Sequence, residues 1–220
     1  MQLPQQKDAM PSTNASAIHP QDTDMPALAR ATPFGWFLVL AGGIAWIAAF
    51  TLVLERLELY RNPSAKASCD FNAWISCSDV MKTPEAALLG FPNPFIGVVA
   101  FAVVITTGAV LLAGAQLKNW YWIALQVGIT AGMALVAWFW FTAVYTLGIL
   151  CPYCMVVWAM VIPIFVWTTL RNINAGIIPA SPGVRKFLND WAWIIIALIY
   201  VGTLASIFFK FMYLIIPTNA

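Results

Sequence analysis

The residues in this sequence best suited to chemistry are four cysteines. Cys69 and Cys77 have seven residues between them, and Cys151 and Cys154 bracket the run Cys-Pro-Tyr-Cys. Thiolates and disulfides exchange by attack of one sulfur on another, so two such pairs can relay electrons if they meet in space. A Cys-x-x-Cys at a helix N-terminus suits this role, because the free N–H groups and the helix dipole stabilise a thiolate. Pro152 fits the first helical position, where its missing N–H costs nothing. Cys151 is expected to be the more exposed, attackable sulfur, with Cys154 one turn deeper. Three other readings compete: a four-cysteine zinc site, two purely structural disulfides, and a glutaredoxin, which shares the Cys-Pro-Tyr-Cys run. The loop-pair spacing is unlike a zinc knuckle, and no βαβ pattern surrounds the motif. Exchange chemistry is therefore favoured, and no metal is expected.

The elements that must position these sulfurs are membrane helices. The 220 residues are 61% hydrophobic and 9% charged, against roughly 25% charged in a soluble domain. This composition excludes an ordinary water-soluble enzyme, a nucleic-acid binder and a disordered regulator. A bilayer crossing needs about 20 mainly apolar residues, and five stretches qualify: Trp36–Leu54, Phe95–Ala115, Trp120–Leu147, Cys151–Leu170 and Trp191–Phe209, the last extending to Ile216. Residues 1–33, polar and punctuated by prolines, read as a disordered tail with His19 in no evident role. Residues 171–190 read as a linker, and 191–220 as a fifth transmembrane helix with the C-terminus. The first span is too long and too far along for a typical signal peptide.

Two crossings separate the cysteine pairs. An even number of crossings returns the chain to one side, so both pairs face one compartment whichever way the protein inserts. Lys7, Arg30, Lys118, Arg171, Arg185 and Lys186 outnumber the loop's Arg56, Arg61, Lys66 and Lys82, which places the N-terminus inside. The cysteines and the C-terminus then lie outside, where disulfides persist. The large loop, 55–93, carries a second-half segment Thr83-Pro84-Glu85-Ala86-Ala87-Leu88-Leu89-Gly90. It reads as a short helix capped by Thr83, with Pro84 at its first position, apolar enough to lie on a membrane surface.

Three segments taken together, Cys69-Asp70-Phe71-Asn72-Ala73-Trp74-Ile75-Ser76-Cys77-Ser78, Gly90-Phe91-Pro92-Asn93-Pro94-Phe95-Ile96-Gly97 and Cys151-Pro152-Tyr153-Cys154, resemble the vitamin K epoxide reductase family, and more closely its bacterial thiol-oxidising members. The resemblance covers about residues 36–170. It implies an all-α membrane protein, a four-helix bundle over 34–170 around a quinone, with the fifth transmembrane helix added. Cys69 and Cys77 match the family's shuttle pair, and Cys151 and Cys154 its active-site pair. Asn93 matches the quinone-contacting Asn, Thr83 a Ser or Thr six residues after the second loop cysteine, and Trp158 an aromatic that is often Tyr in animal members. An indole can donate to a ring carbonyl but cannot accept. Met81 and Phe91 are further candidates for the pocket wall.

What the resemblance implies for function is a thiol:quinone oxidoreductase of the bacterial cytoplasmic membrane. A separate thioredoxin-like (DsbA-like) protein of the cell envelope would be the reductant, and menaquinone or ubiquinone the acceptor. The partner attacks the Cys69–Cys77 disulfide, Cys77 attacks Cys151, and Cys154 is freed beside the quinone. The ring closed by Cys69 and Cys77 is expected to be exposed and flexible, and Asn93 to donate to a quinone carbonyl. Reduction of vitamin K epoxide by the same sulfurs is an alternative. So is a non-enzymatic scaffold held by structural disulfides. A transporter is disfavoured, because the spans carry Gln126 and several Thr but no Asp, Glu or His.

Overall fold

The structure is a computed structural model and describes residues 26–215. Most of the expected tail and the residues beyond 215 lie outside the described residues. Six α-helices follow in chain order: α1 (Ala31–Arg61), α2 (Cys77–Lys82), α3 (Pro94–Leu112), α4 (Asn119–Phe141), α5 (Pro152–Asn174) and α6 (Pro182–Ile215). Five are long and apolar enough to cross a membrane, and the described residues contain no strand. The protein is an all-α, multi-pass membrane protein.

The helices overrun the apolar stretches that announce them. α1 continues to Arg61, about two turns past Leu54, because Glu55, Arg56 and Glu58 are good helix formers that need only water on their outer faces. It also begins at Ala31, inside the segment expected to be disordered, and Ala29 before it is buried. The expected linker over 171–190 is largely helical: α5 runs to Asn174 and α6 starts at Pro182.

α1 is the centre of the bundle. It packs against α3 on one side and α5 on another, α4 packs on α5, and α6 lies on the outside of α5. Small residues let α1 and α3 approach closely. A Cβ on Gly108 would sit 2.7 Å from the Gly35 carbonyl oxygen and 2.8 Å from Val39 Cγ2, and one on Gly97 would sit 3.0 Å from Ala49 Cβ. α4 is pinned to α5 by a polar cluster at the end of the bundle away from the cysteines. There Gln126 Nε2 donates to Thr169 Oγ1 at 2.9 Å, Asn172 Nδ2 donates to Gln126 Oε1 at 2.9 Å, and the Arg171 guanidinium lies 3.3 Å from the Trp122 ring centroid. The in-span Gln126 is thus a helix clamp. α3 and α4, adjacent in sequence, are not packed along their lengths, and a cavity lies between them.

The α4–α5 connection is where the chain turns back toward the cysteines. Past Phe141 the helix widens into a π-helical turn, Thr142–Leu147, and Gly148 adopts φ +66°, which only a residue without Cβ takes readily.

Candidate active site

A backbone zipper brings the two cysteine pairs together. In the loop, Asn72 Oδ1 accepts from the N–H groups of Trp74 and Ile75, at 3.1 and 2.9 Å, and closes a tight turn. The strand-like residues after it pair with the residue preceding Cys151: Leu150 N–H donates to Trp74 C=O at 2.9 Å, and Ser76 N–H donates to Leu150 C=O at 3.0 Å. Cys77 follows Ser76 and Cys151 follows Leu150. Each sulfur therefore emerges one residue beyond a shared hydrogen-bonded step. The result is a Cys77 Sγ to Cys151 Sγ distance of 3.2 Å, with both residues buried.

Cys69 and Cys77 form a disulfide, with their Cα atoms 5.7 Å apart, while Cys151 and Cys154 are free thiols. Cys151 is the N-cap of α5, and its sulfur accepts from the Cys154 N–H at 3.4 Å. That contact and the helix dipole both favour a thiolate at Cys151. Tyr153, between the two cysteines, meets Ser68 through their hydroxyls at 3.1 Å, tying the active-site turn to the residue before Cys69.

Two expectations about exposure are corrected. The ring closed by Cys69 and Cys77 is not exposed: Cys69 is 3% and Cys77 0% accessible. The reason is Asp70, whose carboxylate folds the loop over its own disulfide. It accepts from Ala67 N–H at 3.0 Å, Ser76 Oγ–H at 3.0 Å and Ser78 N–H at 2.9 Å. Burial pushes the Asp70 carboxyl up, but hydrogen bonds from Ser78, Ser76 and Ala67 outweigh it and hold the group below its ordinary value. Cys154 does lie one turn further along α5, on the cavity wall, but the accessibility of the two sulfurs is the opposite of that expected. Cys151 is 2% accessible, sealed under the loop, whereas Cys154 is half-buried.

Cys154 and Cys151 both lie on the wall of a cavity of about 530 Å³ between α3 and α4. The wall is almost wholly apolar and extends from Leu52 and Met81 at the cysteine end to Trp120 and Tyr121 on α4. Trp158 is buried on this wall. Met81 also lies on it; Phe91 does not, and is exposed instead. Asn93 is on the wall, but its amide is already engaged: Oδ1 accepts from Leu88 N–H at 2.9 Å, and Nδ2 donates to Glu85 C=O at 2.6 Å. One Nδ2 hydrogen is left over. Thr83 is not on the wall. It precedes a four-residue 3₁₀ turn, Pro84–Ala87, rather than a capped α-helix, and its hydroxyl points backward, donating to Val80 C=O at 2.9 Å. The true side-chain cap nearby is Ser76, which accepts from Asp79 N–H at 3.1 Å and starts α2 at Cys77.

Sequence reasoning missed Arg56, the one charged residue on the described wall. It comes from the α1 extension, donates through a terminal nitrogen to Met81 C=O, and lies 4.6 Å from the Tyr60 ring centroid. Its Nε has no partner. It also missed Asp70 as the loop's organiser. The signal was available: an acidic residue next to a cysteine, with Ser76 and Ser78 within reach.

A loop disulfide in contact with a helix-capping thiol, and a second thiol facing an apolar cavity inside a membrane bundle, define a polytopic membrane protein built for thiol–disulfide exchange. Residues 36–169, well over half of the chain, match the Vitamin K epoxide reductase family, and the chain belongs to that family. Membership makes it an oxidoreductase. A search of curated proteins finds no match.

Proposed function

We propose that this protein is a thiol:quinone oxidoreductase of the bacterial cytoplasmic membrane that reoxidises a separate thioredoxin-like protein of the cell envelope. The observation that carries the reading is the 3.2 Å contact between Cys77 and Cys151, with Cys154 on the wall of the apolar cavity.

A partner thiolate attacks Cys69 of the Cys69–Cys77 disulfide and forms a mixed disulfide, releasing the Cys77 thiolate. Cys77 attacks Cys151 of a Cys151–Cys154 disulfide, and Cys154 leaves as a thiolate. The partner's second thiolate then resolves the mixed disulfide and frees Cys69. Cys69 attacks Cys77, restoring the loop disulfide and releasing Cys151. The partner has lost two electrons, and Cys151 and Cys154 hold them. The loop must lift for the first attack, since both of its sulfurs are buried.

The cavity suits a quinone. Its volume lies within the range of about 300–1,000 Å³ usual for ligand pockets, and its walls are apolar with few polar groups. A quinone, menaquinone or ubiquinone, would take up two electrons and two protons there from the Cys151 and Cys154 thiols, which would close again to their disulfide. The remaining Asn93 N–H would donate to a ring carbonyl, and Arg56 supplies the wall's positive charge. Trp158 packs the wall beside Cys154, and Thr83 has no place in the proposed contacts. The gap between α3 and α4 gives a lipid-soluble substrate access from the bilayer, with the N-terminus cytoplasmic and the cysteines on the outer side.

Reconstituted variants test the reading. Cys151→Ser and Cys154→Ser should each abolish quinone-dependent turnover. Cys69→Ala should block transfer from the protein partner yet spare reduction by a small dithiol. Unchanged turnover in either serine variant would sink the proposal, and loss of both activities in Cys69→Ala would show the relay order to be wrong.

A further inference from the structure

α5 carries the active-site pair at its start and much of the cavity wall after it: Val157, Trp158, Val161 and Ile164 all face the cavity. It also contains a proline, Pro163, inside the helix. Proline has no N–H, so the carbonyl four residues earlier loses its helical partner. That carbonyl belongs to Ala159, next to Trp158 and little more than a turn from Cys154. Within a membrane no water is at hand to satisfy it.

The missing donor comes from α6. The Tyr200 hydroxyl donates to the Ala159 carbonyl. α6 meets α5 at three other heights. Asn174 and Asn189 exchange amide hydrogen bonds at 2.8 and 3.0 Å. Trp193 packs edge-on against Trp167, with ring centroids 5.3 Å apart. Near the cysteine end, buried Phe211 clusters with Trp158 and stacks on Trp74, the loop residue that zips to Leu150. α6 lies beyond the family match, which ends at residue 169, yet it contacts both halves of the site.

We propose that Tyr200 is a positioning residue. By replacing the helical hydrogen bond that Pro163 deletes at Ala159, it fixes the segment of α5 that places Trp158 and Cys154 on the cavity wall. For its effect on turnover this inference rests on the quinone reading above. Its geometric core does not, because it predicts a specific dependence of Tyr200 on Pro163.

The test is a double-mutant cycle in the full chain in proteoliposomes: wild type, Tyr200→Phe, Pro163→Ala, and both together. Pro163→Ala restores an N–H to the Ala159 carbonyl and should make Tyr200 dispensable. Two readouts are taken. The first is the rate of Cys154 alkylation by a lipid-soluble maleimide in a Cys69→Ala/Cys77→Ala/Cys151→Ala background. The second is quinone KM against kcat, with a small dithiol as reductant.

Tyr200→Phe alone should change the alkylation rate about threefold or more and raise quinone KM by about three- to tenfold, with kcat changed less than twofold. The double variant should match Pro163→Ala within twofold on both readouts. If Tyr200→Phe fails to accumulate in the membrane, recovery of the double variant supports the inference, and failure of both overturns it. An undiminished Tyr200→Phe effect in the Pro163→Ala background overturns it, as does no effect of Tyr200→Phe on either readout. If the wild type turns over no quinone, the functional reading falls while the alkylation cycle still decides the role of Tyr200.

Discussion

Asp70→Asn tests how the loop over the Cys69–Cys77 disulfide is held shut. The substitution keeps shape and removes charge. Asp70 Oδ2 accepts from Ala67 N–H, and Oδ1 accepts from Ser76 Oγ–H and Ser78 N–H. In the asparagine variant an NH₂ replaces one oxygen and faces a donor, so one bond is lost and the others become neutral. A hydrogen bond to a charged group contributes about 1.5–3 kcal/mol, and a neutral one about 0.5–1.5 kcal/mol. Asp70 is partly exposed, so solvent screening puts the total at the low end, about 1.5–2 kcal/mol. At tenfold per 1.4 kcal/mol, the open loop becomes about 10- to 30-fold more populated. Both sulfurs of the loop disulfide are buried, so a water-soluble phosphine reaches them only in the open state. Reduction of Cys69–Cys77, followed by maleimide gel shift, should accelerate by the same factor. A rate within twofold of wild type would mean that Asp70 is not the latch, or that the disulfide is attackable without opening.

Three further outcomes are expected. Protonation of Asp70 follows its lowered pKa: the carboxylate's contribution is complete above the ordinary value of 3.8 and is lost only as pH falls through the lower folded value. Hydrogen-exchange protection of the Ala67 and Ser78 amides should therefore be flat from pH 7 to about 5 and fall below about 4; loss between pH 7 and 5 would contradict this. Gly108→Val should destabilise the bundle by about 1–3 kcal/mol or more, since even a Cβ meets the Gly35 carbonyl oxygen at 2.7 Å, and thermal unfolding in detergent would register it. Asn93→Ala removes the ties to Leu88 and Glu85 as well as a wall donor. Quinone KM should rise about tenfold, as expected for one lost hydrogen bond, while the loop disulfide still forms.

The parts of the fold that hydropathy reads were legible. Apolar runs marked the five long helices, and counting crossings placed both cysteine pairs on one side, because a helix in lipid must be apolar along its whole length. The ends were less legible. The last turns of α1 are polar, so hydropathy stops at Leu54 even though Glu55, Arg56 and Glu58 favour a helix. The exposure of the sulfurs was misjudged for a different reason. Burial of Cys69, Cys77 and Cys151 comes from where the Asp70 carboxylate and the Leu150 backbone find partners, and a two-residue bridge leaves no periodic trace. Thr83 shows the same limit: its type fits an N-cap, yet its hydroxyl found Val80 behind it, and Ser76 capped α2 instead. Pro163 is plainly visible in the sequence, but that Tyr200, 37 residues later, completes its helix is a fact of packing.

We propose that electrons pass from a partner dithiol through four cysteines to a quinone. This relay is tested most directly by anaerobic reconstitution with a reduced thioredoxin-like protein and menaquinone or ubiquinone, following quinone absorbance and partner thiols together. One quinone should be consumed for each partner dithiol oxidised, whereas the Cys154→Ser variant should consume none and oxidise no more than the single equivalent its loop disulfide accepts. Multiple-turnover partner oxidation without quinone consumption, or equal consumption by Cys154→Ser, would contradict it.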